Sequence, residues 1–149
     1  LESGVSVQVG TRDAQLFPDG LRAYGLRVEP DRRHVTVFLP DATAQQALAN
    51  LRDNARIALC LSRIADHRTF QIKGRALEVK PADQDDLAVI RAYRARLTEA
   101  LAQVGTPTRM GVRLAHWPAH AVRVEVESLF DATPGPGAGE RLGPPRSAP

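Results

Sequence analysis

The stretch TFQIKGRALEVK, residues 69–80, decides how this chain is read. Phe70 and Ile72, then Ala76 and Leu77, recur at strand-like spacing among polar neighbours, and Gly74 breaks the pattern between the two pairs. A glycine inside an alternating run marks a bulge or a sharp bend, the device with which barrels turn their corners. Immediately upstream, Ile57 to Leu61 is a continuous apolar run of strand length.

Downstream, Pro81 and Asp83 open the longest helix, with Asp85 and Asp86 in its first turn complementing the helix dipole. Leu87, Ile90, Tyr93, Leu97, Leu101 and Val104 form its apolar stripe, and Gly105 and Pro107 stop it. Val122, Val124 and Val126 then alternate with Arg123, Glu125 and Glu127, which predicts a last strand with a charged outer face. On the N-terminal side, Val5, Val7 and Val9 alternate with Ser6 and Gln8, and Gly10 to Ala14 reads as a turn. Leu26 and Val28, the turn residues Pro30 and Asp31, and the β-branched run Val35 to Leu39 read as a hairpin closed by Pro40. Asp41 or Thr43 can cap the short helix that follows, which sets Ala44, Ala47, Leu48 and Leu51 on one face. Many strands with two helical insertions predict an antiparallel Greek-key barrel, since parallel strands need a helix at nearly every crossover. From Thr133 onward proline and glycine dominate, so residues 1–132 are expected to form the domain and 133–149 an extended arm with a loose end.

The 149 residues suit one core, and 43% hydrophobic with 25% charged residues is the composition of a folded globular chain. No run approaches the roughly 20 apolar residues of a membrane span, and no basic segment leads into an apolar run at the N-terminus. The single Cys60 lies in an apolar run, where a free thiol packs as a small hydrophobe, and a reducing, cytoplasmic setting is expected. A net charge of +3 comes from cations scattered along the chain, and aromatic residues are only 5%, which argues against a nucleic-acid face.

Hydrolase, kinase and zinc-enzyme signatures are absent, and Pro118 between His116 and His120 spoils the helical spacing that would join them on a metal. Three clusters join polar side chains to strand ends: Gly10 to Ala14, Pro40 to Thr43, and Arg68 to Gly74. The helix entry at Asp41 to Thr43 offers free N–H groups and a partial positive charge to a phosphate, with Arg68 or Arg22 as countercharge. The same residues also read as a capped helix and solvated strand ends, and periodicity alone favours that plainer reading.

At these residues the sequence resembles the pyridoxamine 5'-phosphate oxidase-like family, the flavin-binding split barrels. GTRDA after the first strand, VTVFLP leading into ALANLRDNARIAL, HRTFQIKG, and LFDATPGPGAG after the last strand match that family in the same order. The resemblance implies a mainly β fold with two helices, a six-stranded antiparallel Greek-key split barrel, that forms a homodimer with FMN in the cleft between subunits. Carried over by position, it implies that Arg22 approaches the flavin, that Thr43 and Gln46 lie at the phosphate turn, and that Arg68, Thr69 and Gln71 line the cleft. Trp117 would reach the ring from the partner subunit. Where the oxidases proper carry a Ser-Arg-Lys-like stretch, this chain has Thr43, Ala44, Gln45 and Gln46 without a cation, which argues against oxidation of pyridoxamine phosphate itself.

Two functions follow from the resemblance and the residues together. One is an FMN-dependent oxidoreductase whose substrate and catalytic groups the sequence does not name. The other is a non-enzymatic binding module on the same fold, carrying haem, a deazaflavin or no cofactor.

Overall fold

The computed structural model describes residues 4–107 and 115–143. They form a mainly β structure: β1 (Val5–Arg12), β2 (Pro18–Ala23), β3 (Leu26–Val28), β4 (His34–Pro40), α1 (Asp41–Asn54), β5 (Arg56–Arg63), β6 (Thr69–Pro81), α2 (Gln84–Gln103), β7 (Ala119–Asp131) and β8 (Arg141–Leu142). All pairings are antiparallel, in the order β2-β1-β5-β6-β7-β4-β3, with β8 added to β7. Among the described residues no helix is long and apolar enough to cross a membrane.

The strand order forces the sheet to curl. β2 and β3 stand at its two ends, yet only Tyr24 and Gly25 separate them. An extended chain covers at most about 11 Å from Ala23 to Leu26. The two edges must therefore meet, and Tyr24 N donates to Phe38 O (3.0 Å) while Phe38 N donates to Gly25 O (3.2 Å) at the seam. Gly25 has φ +127°, and a Cβ there would press on the Phe38 ring at 3.1 Å, so the passage needs glycine.

The eight strands replace the six expected. β2 was hidden because PDGLRA begins with proline and offers only Leu21 and Ala23 to an alternating pattern. β8 arises because the chain after Asp131 doubles back: Gly139 N donates to Asp131 O, Asp131 N donates to Glu140 O, and Arg141–Leu142 pairs with Phe130 and Leu129. Within the C-terminal arm, Arg141–Leu142 thus forms a short strand on β7. β1 likewise runs through Gly10 to Arg12, and the turn falls later, where Leu16 N donates to Asp13 O and Asp13 Oδ1 accepts from Phe17 N.

Inward-facing residues of the sheet enclose the core: Val7, Val9, Leu59, Leu61, Ile72, Val122 and Val124 are buried with Val37 and Leu39 of β4. α1 seals it with Ala44, Ala47, Leu48 and Leu51, the face its sequence predicts. α2 adds Ile90, Tyr93 and Leu97; its stripe fades at Val104, which is 53% exposed. Asp83 caps α2 by accepting from the N–H groups of Asp85 and Asp86, and the Asp86 N–H holds the Asp83 carboxyl below the usual carboxylate range.

The bend at Gly74 is a bulge between β6 and β7. The register slips between Lys73 and Gly74, so that Glu127 is the extra residue on β7, and a Cβ on Gly74 would stand 2.1 Å from the Glu125 carbonyl oxygen. A second slip between Ala76 and Glu78 leaves Leu77 unpaired and 47% exposed, so the sequence pattern placed it in the wrong company.

Two predictions follow from this packing. Gly74→Ala must push β6 and β7 apart and is expected to cost about 1–3 kcal/mol or more, read as a lower urea midpoint. Tyr93 is buried, donates to Val5 O at 2.8 Å, and burial pushes its phenol from 10.0 up to about 12. Because the folded state prefers the protonated phenol, stability is full below pH 10 and falls as pH rises toward 12. Tyr93→Phe should lose about 0.5–1.5 kcal/mol at neutral pH and show a flatter alkaline decline in a series of melts.

Candidate functional site

Alternation along β1 sends Ser6, Gln8, Gly10 and Arg12 to the outer face of the sheet while Val5, Val7 and Val9 go inside. Cross-strand register then assembles outer rows. Gly20, Gly10, Ala58, Lys73 and Ser128 make one, and Arg22, Gln8, Cys60, Gln71 and Phe130 make the next. Ser6, Ser62 and Thr69 follow. Cys60 is therefore a half-buried residue on this outer face and not part of the core, because its one-residue offset from Leu59 and Leu61 is concealed by the continuous apolar run.

Of the expected site residues, Arg22 and Gln71 share one row, with Gln8 and Cys60 between them. Thr69 is buried beside the β5–β6 turn: its Oγ1 lies 2.7 Å from His67 O and 2.9 Å from Ser62 Oγ, and its N–H donates to Thr133 Oγ1. Arg68 is exposed with its guanidinium 5.4 Å from the centre of the Phe70 ring. Nearby, the hydroxyl and N–H of Thr133 hold the Asp131 carboxyl below its usual range, with Arg68 adding a smaller push in the same direction.

The other expected residues lie elsewhere. Thr43 and Gln46 are exposed on α1. The side chain of neither Asp41 nor Thr43 caps that helix, whose N-cap is Pro40; Asp41 instead faces His120, with Nδ1 2.8 Å from Oδ1, and its N–H donates to Pro118 O. Gln46 Nε2 donates to Asn50 Oδ1 and Asn50 Nδ2 to Thr11 Oγ1, each at 3.0 Å, a buried polar tie between α1 and β1 that periodicity could not show. Trp117 is half-buried against the core of its own subunit beside this helix entry.

The two groups stand at opposite ends of β6. His120, the neighbour of the α1 entry, pairs with Pro81, whereas Arg68 precedes Thr69 at the other end of the strand. At about 3.3 Å per residue those ends are some 40 Å apart along the strand. Within one protomer, Thr43 and Arg68 do not converge.

The outer face also carries a concavity of about 560 Å³ that the site expectations did not include. Arg12, Arg56 and Lys73 border it, over a floor of Gly10 and Ala58. Arg56 Nη1 donates to both carboxylate oxygens of Glu127, at 3.2 and 2.9 Å; Arg12 Nη1 donates to Asp13 O; Lys73 Nζ lies 5.0 Å from the centre of the Phe130 ring. Gly10, Arg12 and Lys73 stood within the clusters singled out from sequence, but only the register brings them to one face. Among the described residues no group of three His, Cys, Asp or Glu side chains is placed to hold a metal ion.

No protein-family model and no curated protein sequence matches the chain. Solved structures do. A candidate pyridoxamine 5'-phosphate oxidase from Lactobacillus delbrueckii superposes with a TM-score of 0.51 at 19% identity, over 84% of this chain and 83% of its own. An F420 reductase superposes with a TM-score of 0.59 at 12% identity, over 87% and 91%. The chain has the pyridoxamine 5'-phosphate oxidase-like split-barrel fold. An FMN-binding protein from Syntrophomonas wolfei is similar in the same way, with a TM-score of 0.52 at 10% identity, over 86% of this chain and 77% of its own. Identities this low carry the split barrel and leave the activity to the site residues.

Proposed function

We propose that this split barrel is a homodimer that binds FMN between its two copies and serves as a flavin-dependent oxidoreductase. The observation that carries the reading is the separation of the two half-sites. One end of β6 offers the entry of α1, whose first turn has no side-chain cap and gives its Asp41 N–H to Pro118 O, with the Thr43 hydroxyl and Gln46 beside it. The other end offers Arg68 and Thr69. A phosphate dianion needs both the neutral donors and the guanidinium, and pairing two copies about a two-fold axis, with their β6 strands opposed, would bring one end of each to the other end of its mate. The Asp41 carboxylate at the helix entry is engaged by His120, whose Nδ1 lies 2.8 Å from Oδ1.

In this arrangement the phosphate sits on the α1 entry, Arg68 of the partner subunit supplies the charge that Thr43 to Gln46 lack, and Arg22, Thr69 and Gln71 border the flavin. Trp117 would close over the ring. The cofactor, when bound, supplies the electron-transfer chemistry; the chain binds it, orients it and excludes water. The structural likeness to an FMN-binding protein supports this choice of cofactor. A second reading, a non-enzymatic module with haem, a deazaflavin or no cofactor, draws on the absence of a cation from Thr43 to Gln46 and, for a deazaflavin, on the likeness to an F420 reductase.

FMN titrated into the protein should lose fluorescence on binding, and Arg68→Ala should weaken affinity ten- to a hundredfold, the equivalent of about 1.5–3 kcal/mol for a charge-assisted bond, with an unchanged melt. Equal affinity for both proteins rejects the phosphate site, and no FMN binding by the unmutated protein moves the assignment to the second reading. Sedimentation equilibrium is expected to give a dimer; a single 16.2 kDa species at micromolar concentration rejects the composite site.

A further inference from the structure

We infer that Thr133, in the proline- and glycine-rich segment after β7, is a positioning residue for Arg68: by engaging the Asp131 carboxylate it keeps the Arg68 guanidinium out of an internal ion pair and open to an anion. The inference rests on the reading that Arg68 meets the phosphate of a ligand. It also accounts for LFDATPGPGAG, the sequence cluster that the proposed flavin site leaves without a role.

Arg68 stands between two acids. Asp131 faces Phe70 across the β6–β7 register, and the Arg68 guanidinium lies over that same ring, 5.4 Å from its centre. On the other side Asp66, two residues back in the turn, accepts the Arg68 N–H on Oδ1 at 3.2 Å. A guanidinium and a carboxylate this near make a charge-assisted pair whenever the carboxylate is free to turn. Among the described residues Arg68 nevertheless forms no ion pair. Each acid is occupied by another donor. Asp66 receives Arg63 Nε on Oδ1 at 2.7 Å and Arg63 Nη2 on Oδ2, while Asp131 Oδ1 accepts the Thr133 N–H at 2.8 Å. Both carboxyls are held below their usual range chiefly by those partners, Arg63 for Asp66 and Thr133 for Asp131, and Arg68 adds a smaller push to each. Its guanidinium is near both acids and paired with neither.

The backbone around these side chains is fixed on both strands. Thr133 Oγ1 accepts the Thr69 N–H at 3.1 Å, Ala132 N donates to Thr69 O at 2.9 Å, and Arg63 N donates to Arg68 O at 2.9 Å. Beyond Thr133 the chain returns to the same place: Gly139, with φ +94°, donates its N–H to Asp131 O, and Asp131 N donates to Glu140 O. Asp131 is thus held at its backbone and its carboxylate, whereas the Arg68 side chain has the Phe70 face beneath it. Cation–π attraction holds a guanidinium over a ring without using its N–H donors, which stay free for the oxygens of an anion.

Phenylglyoxal, which modifies unpaired guanidinium groups, reads the state of Arg68 in the full chain without any ligand when the modified peptides are mapped by mass. Thr133→Val is expected to slow modification at Arg68 about two- to fivefold, the equivalent of one exposed ion pair, and to weaken FMN binding by a similar factor. Thr133→Ser should keep both at the unmutated level. Combining Thr133→Val with Asp131→Asn should restore both, which a merely structural role for Thr133 would not do. Arg63→Gln releases Asp66 instead and should reproduce the loss from outside the arm, so the test stands even where Thr133→Val does not fold. Unchanged modification of Arg68 in these variants overturns the inference, as does a loss in Thr133→Val that Asp131→Asn does not restore. Slowed and restored modification, with an FMN affinity that Arg68→Ala does not alter, upholds the positioning of Arg68 and rejects the phosphate site instead.

Discussion

The passage of the chain from β2 to β3 constrains everything else in this molecule. Ala23 ends a strand at one edge of the sheet, Leu26 begins one at the other, and Tyr24 and Gly25 must bridge them. A sheet whose edges are tied this closely cannot lie flat. It curls until Phe38 bonds both linker residues, and the curl creates an inside and an outside. The inside is filled by the valines and leucines of the long strands and sealed by α1, so hydrophobic burial and the tie at Gly25 support one another. The right-handed twist of strands favours this curling, but it is the two-residue connection that fixes where the seam falls.

The outside inherits the consequence. Two helices cannot both plug the barrel and cover its outer face; α1 is committed to the core, and α2 lies against β3 and Val5. The outer rows on β1, β5 and β6 are consequently left with small and polar residues: Ser6, Gln8, Gly10, Ala58, Cys60 and Ser62. Bulky apolar side chains there would be an aggregation hazard, whereas small ones leave room for a ligand or a second subunit. The bulge at Gly74 adds to this by turning Glu127 toward Arg56, which fixes one cation of the rim and leaves its neighbours available.

Much of this was legible in the sequence where one physical effect dominated. Val5, Val7 and Val9, the stripe of α2, the buried face of α1 and the bulge at Gly74 all follow from periodicity or from the missing Cβ. Legibility failed where partners distant in sequence decide the outcome. β2 has little pattern of its own and is a strand because β1 pairs with it; Cys60 sits outside because register, not composition, assigns faces within Ile57 to Leu61. Asp41 was read as a cap from its position, yet His120, 79 residues away, claims its carboxylate. The site was legible as a set of polar clusters and not as an arrangement, since nothing local to Thr43 or Arg68 reveals that 13 residues of β6 stand between their ends of the barrel.

That separation also explains why the split-barrel fold by itself leaves function open. The core of the protomer is complete on its own, with Val7, Leu59 and Val124 fully enclosed, while Thr43 and Arg68 lie exposed outside it. Because both are exposed, their replacement costs little folding energy. A fold arranged this way can keep its shape at identities of 19% or less, as its likeness to its structural neighbours shows, while the residues outside the core vary.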